Sequence, residues 1–122
     1  MTTGTVLVLA DIDPVDGPES ALPARICAAI NLMAPAPPLT IVAAGEWARL
    51  LPAVALSQRS AHRRVAEYLL IDPVLPAVSD TWPDAPVTVA TDDPESDASV
   101  QGRLRGWTVV MTDALQDWTP AD

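Results

Sequence analysis

Seven carboxylates stand where apolar runs give way to turns. Asp11 and Asp13 follow Thr5-Val-Leu-Val-Leu-Ala10, and Glu46 follows Leu39-Thr-Ile-Val-Ala-Ala44 by way of Gly45. Asp72 closes Tyr68-Leu-Leu-Ile71, Asp92 and Asp93 follow Val87-Thr-Val-Ala-Thr91, and Asp113 lies just beyond Trp107-Thr-Val-Val-Met111. A carboxylate set against an apolar wall holds its proton more tightly and can then act as general acid or base. Trp47, next to Glu46, and Trp82, ahead of the fourth run, are candidates for such walls. On this basis Glu46, Asp92, Asp93 and Asp11 are candidate catalytic groups, and Asp13, Gly45, Trp47 and Trp82 candidate substrate contacts. Plainer accounts stand beside these. Asp is favoured in turns and helix caps, and a carboxylate at a helix start is stabilised by the dipole. Tryptophan also fills the core of a chain that has no Phe.

Other chemistries find little material. Cys27 is the single cysteine and His62 the single histidine, so neither a disulfide nor the usual zinc set can be assembled from the sequence. Cys27 beside Ile26 reads as a buried thiol, and His62 beside Arg63 and Arg64 as an exposed ring. The five glycines form neither G-x-G-x-x-G nor a phosphate loop. No cofactor or metal is therefore expected, magnesium at Asp11 and Asp13 being unsupported. The net charge of −9, with seven Arg and no Lys, argues against nucleic acid and against an anionic membrane surface. No basic segment precedes the short apolar run Val6–Leu9, so neither a signal peptide nor a membrane span is expected, and the cytoplasm is the expected location. The Ala-, Pro-, Arg- and Asp-rich, Lys-free composition points to a high-GC bacterium.

These residues need a frame. At 122 residues with 49% apolar and 19% charged side chains, the chain is sized for one globular domain over 1–122. Thr5–Ala10 reads as a strand buried on both faces, as in parallel sheets. A turn-rich loop, Asp11 to Pro18, leads to a helix capped by Ser20, with Pro23 in its first turn and Leu22, Ile26, Ala29, Ile30 and Met33 on one face. Leu39–Ala44 is the second strand. A helix from about Glu46 to Arg64 follows, kinked at Pro52, with Arg59, Arg63 and Arg64 at its C-terminal end. Tyr68–Ile71 is the third strand, and a Pro-rich connector from Val74 to Pro86 leads to the fourth, Val87–Thr91. Asp93 caps and Pro94 opens a short helix reaching Leu104, Gly106 ends it, and Trp107–Met111 is the fifth strand. Thr112–Asp122 is a polar tail expected to fray. Alternation of strands and helices predicts a small layered α/β fold, a mostly parallel sheet of about five strands with flanking helices. Ligands of such sheets bind at the carboxyl ends of the strands, where the carboxylates stand.

The stretch from Pro38 to Pro76 resembles the core of the α/β-hydrolases: the strand Leu-Thr-Ile-Val, a small-residue turn, an Ala- and Arg-rich helix, and a strand ending Leu-Leu-Ile-Asp-Pro. Upstream, a strand, a loop with Asp-Pro-x-x-Gly and a helix fit as well. Downstream, Trp82-Pro-Asp-Ala-Pro-Val-Thr-Val-Ala-Thr-Asp-Asp93 looks like the family's acid-bearing strand and Arg105-Gly-Trp-Thr-Val-Val110 like its last. The resemblance covers most of the chain at the level of pattern. It implies a minimal core without a cap. The family's nucleophile elbow, G-x-S-x-G, matches Ala43-Ala44-Gly45-Glu46-Trp47, so Gly45 takes the nucleophile position with no side chain to attack with. The acid would fall on Asp92 or Asp93. No histidine follows the last strand, so the acyl-enzyme route is closed. The chain also lacks the family's first strands, and a homodimer would cover the flank they leave.

A second pattern, Val8-Leu-Ala-Asp11-Ile-Asp13-Pro-Val15, is similar to the D-x-D-x-[TV] motif of haloacid-dehalogenase-like phosphatases. That chemistry wants a Lys on the phosphoryl group, and there is none. Two functions are weighed on the main resemblance. One is a non-hydrolytic enzyme acting on a small organic molecule by carboxylate acid/base chemistry: cyclisation, isomerisation, dehydration or decarboxylation, as in natural-product tailoring. The other is a catalytically inactive homologue that binds a small molecule or a protein partner.

Overall fold

The computed structural model describes residues 4–76 and 82–113. Strands β1 (Thr5–Val8), β2 (Leu39–Ala44), β3 (Val65–Ile71), β4 (Val87–Ala90) and β5 (Thr108–Val110) form one sheet, joined by helices α1 (Leu22–Met33), α2 (Leu51–Ser60) and α3 (Asp97–Leu104). All four strand pairs are parallel, and the spatial order is β1-β2-β3-β4-β5. The fold is thus the small α/β architecture that the alternating pattern predicts. None of the described helices is long and apolar enough to cross a membrane.

The strand order decides where everything else lies. Each crossover steps to the next neighbour in the same direction. Crossovers between parallel strands are almost always right-handed, so steps of one direction put every helix on one face. The core agrees. Ile26 and Ile30 of α1, Leu51 and Val54 of α2 and Ala98 of α3 join the inward residues Leu7, Ile41, Tyr68, Leu70 and Val89 in one buried cluster. Gly102 lets α3 sit close to the sheet, because a Cβ there would lie 3.0 Å from Val109 Cγ2 and 3.4 Å from Val89 Cγ2. Alternate strand residues point to the other face. There Val42, Leu69 and Ala90 form a second buried cluster, flanked by Ile71 and Val110, to which no described helix contributes.

Several elements differ from their sequence reading for identifiable reasons. Thr5–Ala10 is not a strand buried on both faces. It is the edge strand β1 followed by a 3-10 turn, Leu9–Asp11, with Val6 46% exposed on the helix-free face. Pro52 does not kink a long helix. A 3-10 segment, Gly45–Leu50, comes first, and α2 starts at Leu51 with Pro52 in its first turn, where a missing N–H costs nothing. The helix also stops earlier, leaving only Arg59 in its last turn, and Arg63 and Arg64 lie beyond it. β3 in turn starts earlier than the apolar run suggests, at Val65. Ser20 caps nothing: it lies in a 3-10 turn, Glu19–Ala21, ahead of α1. Asp93 is not the cap of α3 either. Ser96 is, its hydroxyl oxygen accepting from the Ser99 N–H at 3.2 Å. Most of the tail expected to fray, residues 114–122, and part of the Pro-rich connector, residues 77–81, lie outside the described residues.

Candidate functional site

The corner after β2 is built on a backbone turn. Ala44 is still extended (φ −111°, ψ 144°). Gly45 then swings to φ +56°, a left-handed conformation that side chains disfavour, and the chain winds at once into the 3-10 segment. The Gly45 carbonyl accepts a hydrogen bond from the Val74 N–H at 2.9 Å, which ties the corner to the chain leaving β3. A Cβ built on Gly45 would meet no atom within 4 Å. The corner therefore faces open space.

Beside it lies a groove of about 390 Å³ lined by Leu22, Glu46, Trp47, Arg49 and Leu50. The sequence places these residues together simply. Leu22 opens α1, and the other four follow Gly45 in one tight segment. Trp47 and Leu50 are half-buried and pack on the main core, so part of the indole is fixed and part remains open. Leu22 does the same from α1. Glu46 and Arg49 form the polar rim. Their side chains are 81% and 62% exposed and meet at 4.0 Å, one turn apart. An exposed pair of this kind contributes little to stability, so both groups are free to face a ligand. A groove of this volume with apolar walls and a few polar groups is the usual form of a small-molecule site.

The other sequence-designated residues go elsewhere. Asp11 lies in the 3-10 turn after β1 and Asp13 two residues on, both exposed and neither on the groove. Asp92 is bonded to the chain leaving β5, and Asp93 to its own loop. Asp92 accepts a hydrogen bond from the Thr112 hydroxyl. Asp93 Oδ1 accepts from the Glu95 N–H at 2.9 Å, and the Asp93 N–H donates to Thr91 Oγ1 at 3.2 Å. Among the described residues no three His, Cys, Asp or Glu side chains are grouped to hold a metal ion. The described carboxylates thus follow the strand ends along one sheet without gathering into a cluster of three. A sheet whose order never reverses has no switch point where neighbouring loops part to form a crevice.

Trp82 is 0% exposed and belongs to the core. Its ring meets Tyr68 edge-on at 5.6 Å and Trp107 at 5.7 Å, and the Arg105 guanidinium lies 5.0 Å from the Trp107 ring. The Tyr68 hydroxyl donates to Asp84 Oδ1 at 2.6 Å. Burial first, and then the Asp84 hydrogen bond and charge, push the Tyr68 phenol above its ordinary range, so it stays protonated. No spacing pattern pairs Tyr68 with Asp84 across the connector. A second polar cluster also went unread. Arg63 donates from Nε to Gln58 Oε1 at 2.8 Å and from Nη2 to Asn31 Oδ1, joining the ends of α1 and α2. Cys27 is half-buried, and burial raises its thiol, against a smaller opposing effect of Ser57. That keeps it a poor nucleophile. His62 is exposed past the end of α2, at φ +58°.

Comparison with family models, with curated proteins and with solved structures gives no match to this chain.

Proposed function

We propose that the chain is an α/β-hydrolase-like protein that binds a small organic molecule in the groove after β2 and performs no triad hydrolysis. The observation that carries this reading is the corner at Gly45: a left-handed residue between a parallel strand and a helical segment, facing open space beside an apolar groove. α/β-Hydrolases present their nucleophile on a sharp strand-to-helix turn of this kind. Glycine keeps the corner and removes the attacking atom. His62 lies past the far end of the ten-residue α2, about 15 Å along the helix from the groove. It cannot serve as base there.

Among the described residues Glu46 is the one carboxylate on the groove, and it is the candidate acid or base for a cyclisation, isomerisation, dehydration or decarboxylation. Asp11, Asp92 and Asp93 do not reach it as partners. A binder without turnover fits the same geometry, because Glu46 stands largely in solvent and no second described carboxylate lines the groove. A homodimer also belongs to this reading. Its support is β1, an uncharged edge strand whose Val6 and Val8 are exposed on the face that no described helix covers. A cytoplasmic protein of natural-product tailoring in a high-GC bacterium is the setting consistent with the acidic, Lys-free composition.

Native mass spectrometry of the protein, alone and after incubation with a small-metabolite extract of a high-GC bacterium, tests these points together. The expected result is a dimer carrying a discrete small-molecule adduct that Trp47→Ala abolishes. A metabolite mass that changes with the wild type and not with Glu46→Gln would show turnover. A clean apo species with an unaltered extract would overturn the small-molecule reading, and a monomer throughout would overturn the dimer.

A further inference from the structure

We infer that the groove after β2 selects a small organic cation, an amine or quaternary ammonium on an apolar body. The inference rests on the binding reading above and adds the charge of the ligand. Three observations converge. The first is the wall: Trp47 keeps part of its indole open between Leu22 and Leu50. The face of an indole is the best aromatic surface for a cation, and the leucines take the apolar body. The second is the rim. Glu46 holds Arg49 only at 4.0 Å with both side chains mostly in solvent, so a ligand ammonium can displace the guanidinium without breaking a close pair.

The third is the field around the groove. One wall, Leu22, ends the loop that carries Asp11, Asp13, Asp16 and Glu19, and among the described residues none of these four has a salt-bridge partner. The nearest cation along the chain, Arg25 in the first turns of α1, is turned to backbone carbonyls of that loop instead, with Nε 2.7 Å from the Val15 oxygen and Nη1 3.3 Å from the Pro18 oxygen. In a chain of net charge −9, the loop leading to Leu22 thus carries four carboxylates with no ion pair among the described residues, and Glu46 adds a fifth on the groove itself. A surface so biased concentrates cations and repels anions. Arg49 alone does not reverse that bias. No metal is implied, because the described carboxylates do not cluster to hold one, whereas a cation that carries its own apolar body needs only one carboxylate and an aromatic face.

The test uses three probes of one size: phenethylammonium, phenethyl alcohol and phenylacetate. Each is titrated into the isotope-labelled full-length chain, and the indole N–H resonance assigned to Trp47 through Trp47→Leu is followed. Phenethylammonium is expected to shift that resonance and to bind about five- to ten-fold more tightly than phenylacetate, with the alcohol between them. The preference is expected to shrink as salt is added and to be lost in Glu46→Gln. Phenylacetate binding as well as the amine overturns the charge inference and leaves the groove as a binding site. A preference undiminished in Glu46→Gln overturns the assignment to this carboxylate. No shift of Trp47 with any probe overturns both the inference and the binding reading on which it rests.

Discussion

Trp82→Ala should cost about 3–5 kcal/mol of folding stability, the range for removing a fully buried large side chain. Trp82 fills the space between the sheet and the chain that leads into β4. It is completely enclosed and touches Tyr68 on one side and Trp107 on the other, each edge-on. Truncation therefore opens a void that neither neighbour can fill. Tyr68 is held by its bond to Asp84, and Trp107 by Arg105 over its ring. Among the described residues the Trp82 indole N–H has no hydrogen bond of good geometry, its nearest acceptor being the Tyr68 hydroxyl, so the buried donor is poorly satisfied. Trp82→Phe removes that donor along with some volume, and its loss should be well under half that of the alanine variant. Urea unfolding of the three proteins measures both numbers. A Trp82→Ala loss below about 1 kcal/mol, the typical effect of an ordinary substitution, would mean that this tryptophan is not the centre of the core.

What the sequence discloses and what it hides follow from the range of each signal. Apolar runs announce strands because burial on a sheet needs them, and Leu39–Ala44 is read to the residue. The neighbour order of those strands leaves no mark in any one run, so the β1 run reads as doubly buried although it is an edge. Caps are equally ambiguous. Ser20 and Asp93 have the right chemistry for helix starts, but a 3-10 turn and a local Asp93–Glu95 turn use those positions, and Ser96 does the capping.

The site divides in the same way. Gly45, Glu46 and Trp47 were legible because they follow a strand directly, and they do stand together. Leu22, Arg49 and Leu50 complete the groove without any signature, since a leucine at a helix start and an exposed arginine occur in every such protein. The expectation that Asp11, Asp92 and Asp93 could converge rests on neighbouring strand ends, and the order that sets β2 and β3 between β1 and β4 is a property of the whole sheet and of no residue in it.

Leu69→Arg should destabilise the protein by about 3 kcal/mol or more, although Leu69 faces away from every described helix. Leu69 is 4% exposed at the centre of β3, opposite the buried Val42 of β2 and the half-buried Thr88 of β4, and it shares a buried cluster with Val42 and Ala90. A guanidinium placed there must either lose its hydration without a partner or force the covering apart, and an unpaired buried charge is among the most costly single changes. Val6→Lys makes the control. Val6 points to the same face from the edge strand and is nearly half exposed, so its ammonium can reach water, and the expected change is within about 0.5 kcal/mol. Guanidinium unfolding of both variants reads the contrast. Near-wild-type stability of Leu69→Arg would mean that the centre of this face opens readily to water. A loss confined to Leu69→Arg would mean that the face is sealed at its middle and open along β1, which is where an edge-to-edge partner would have to join.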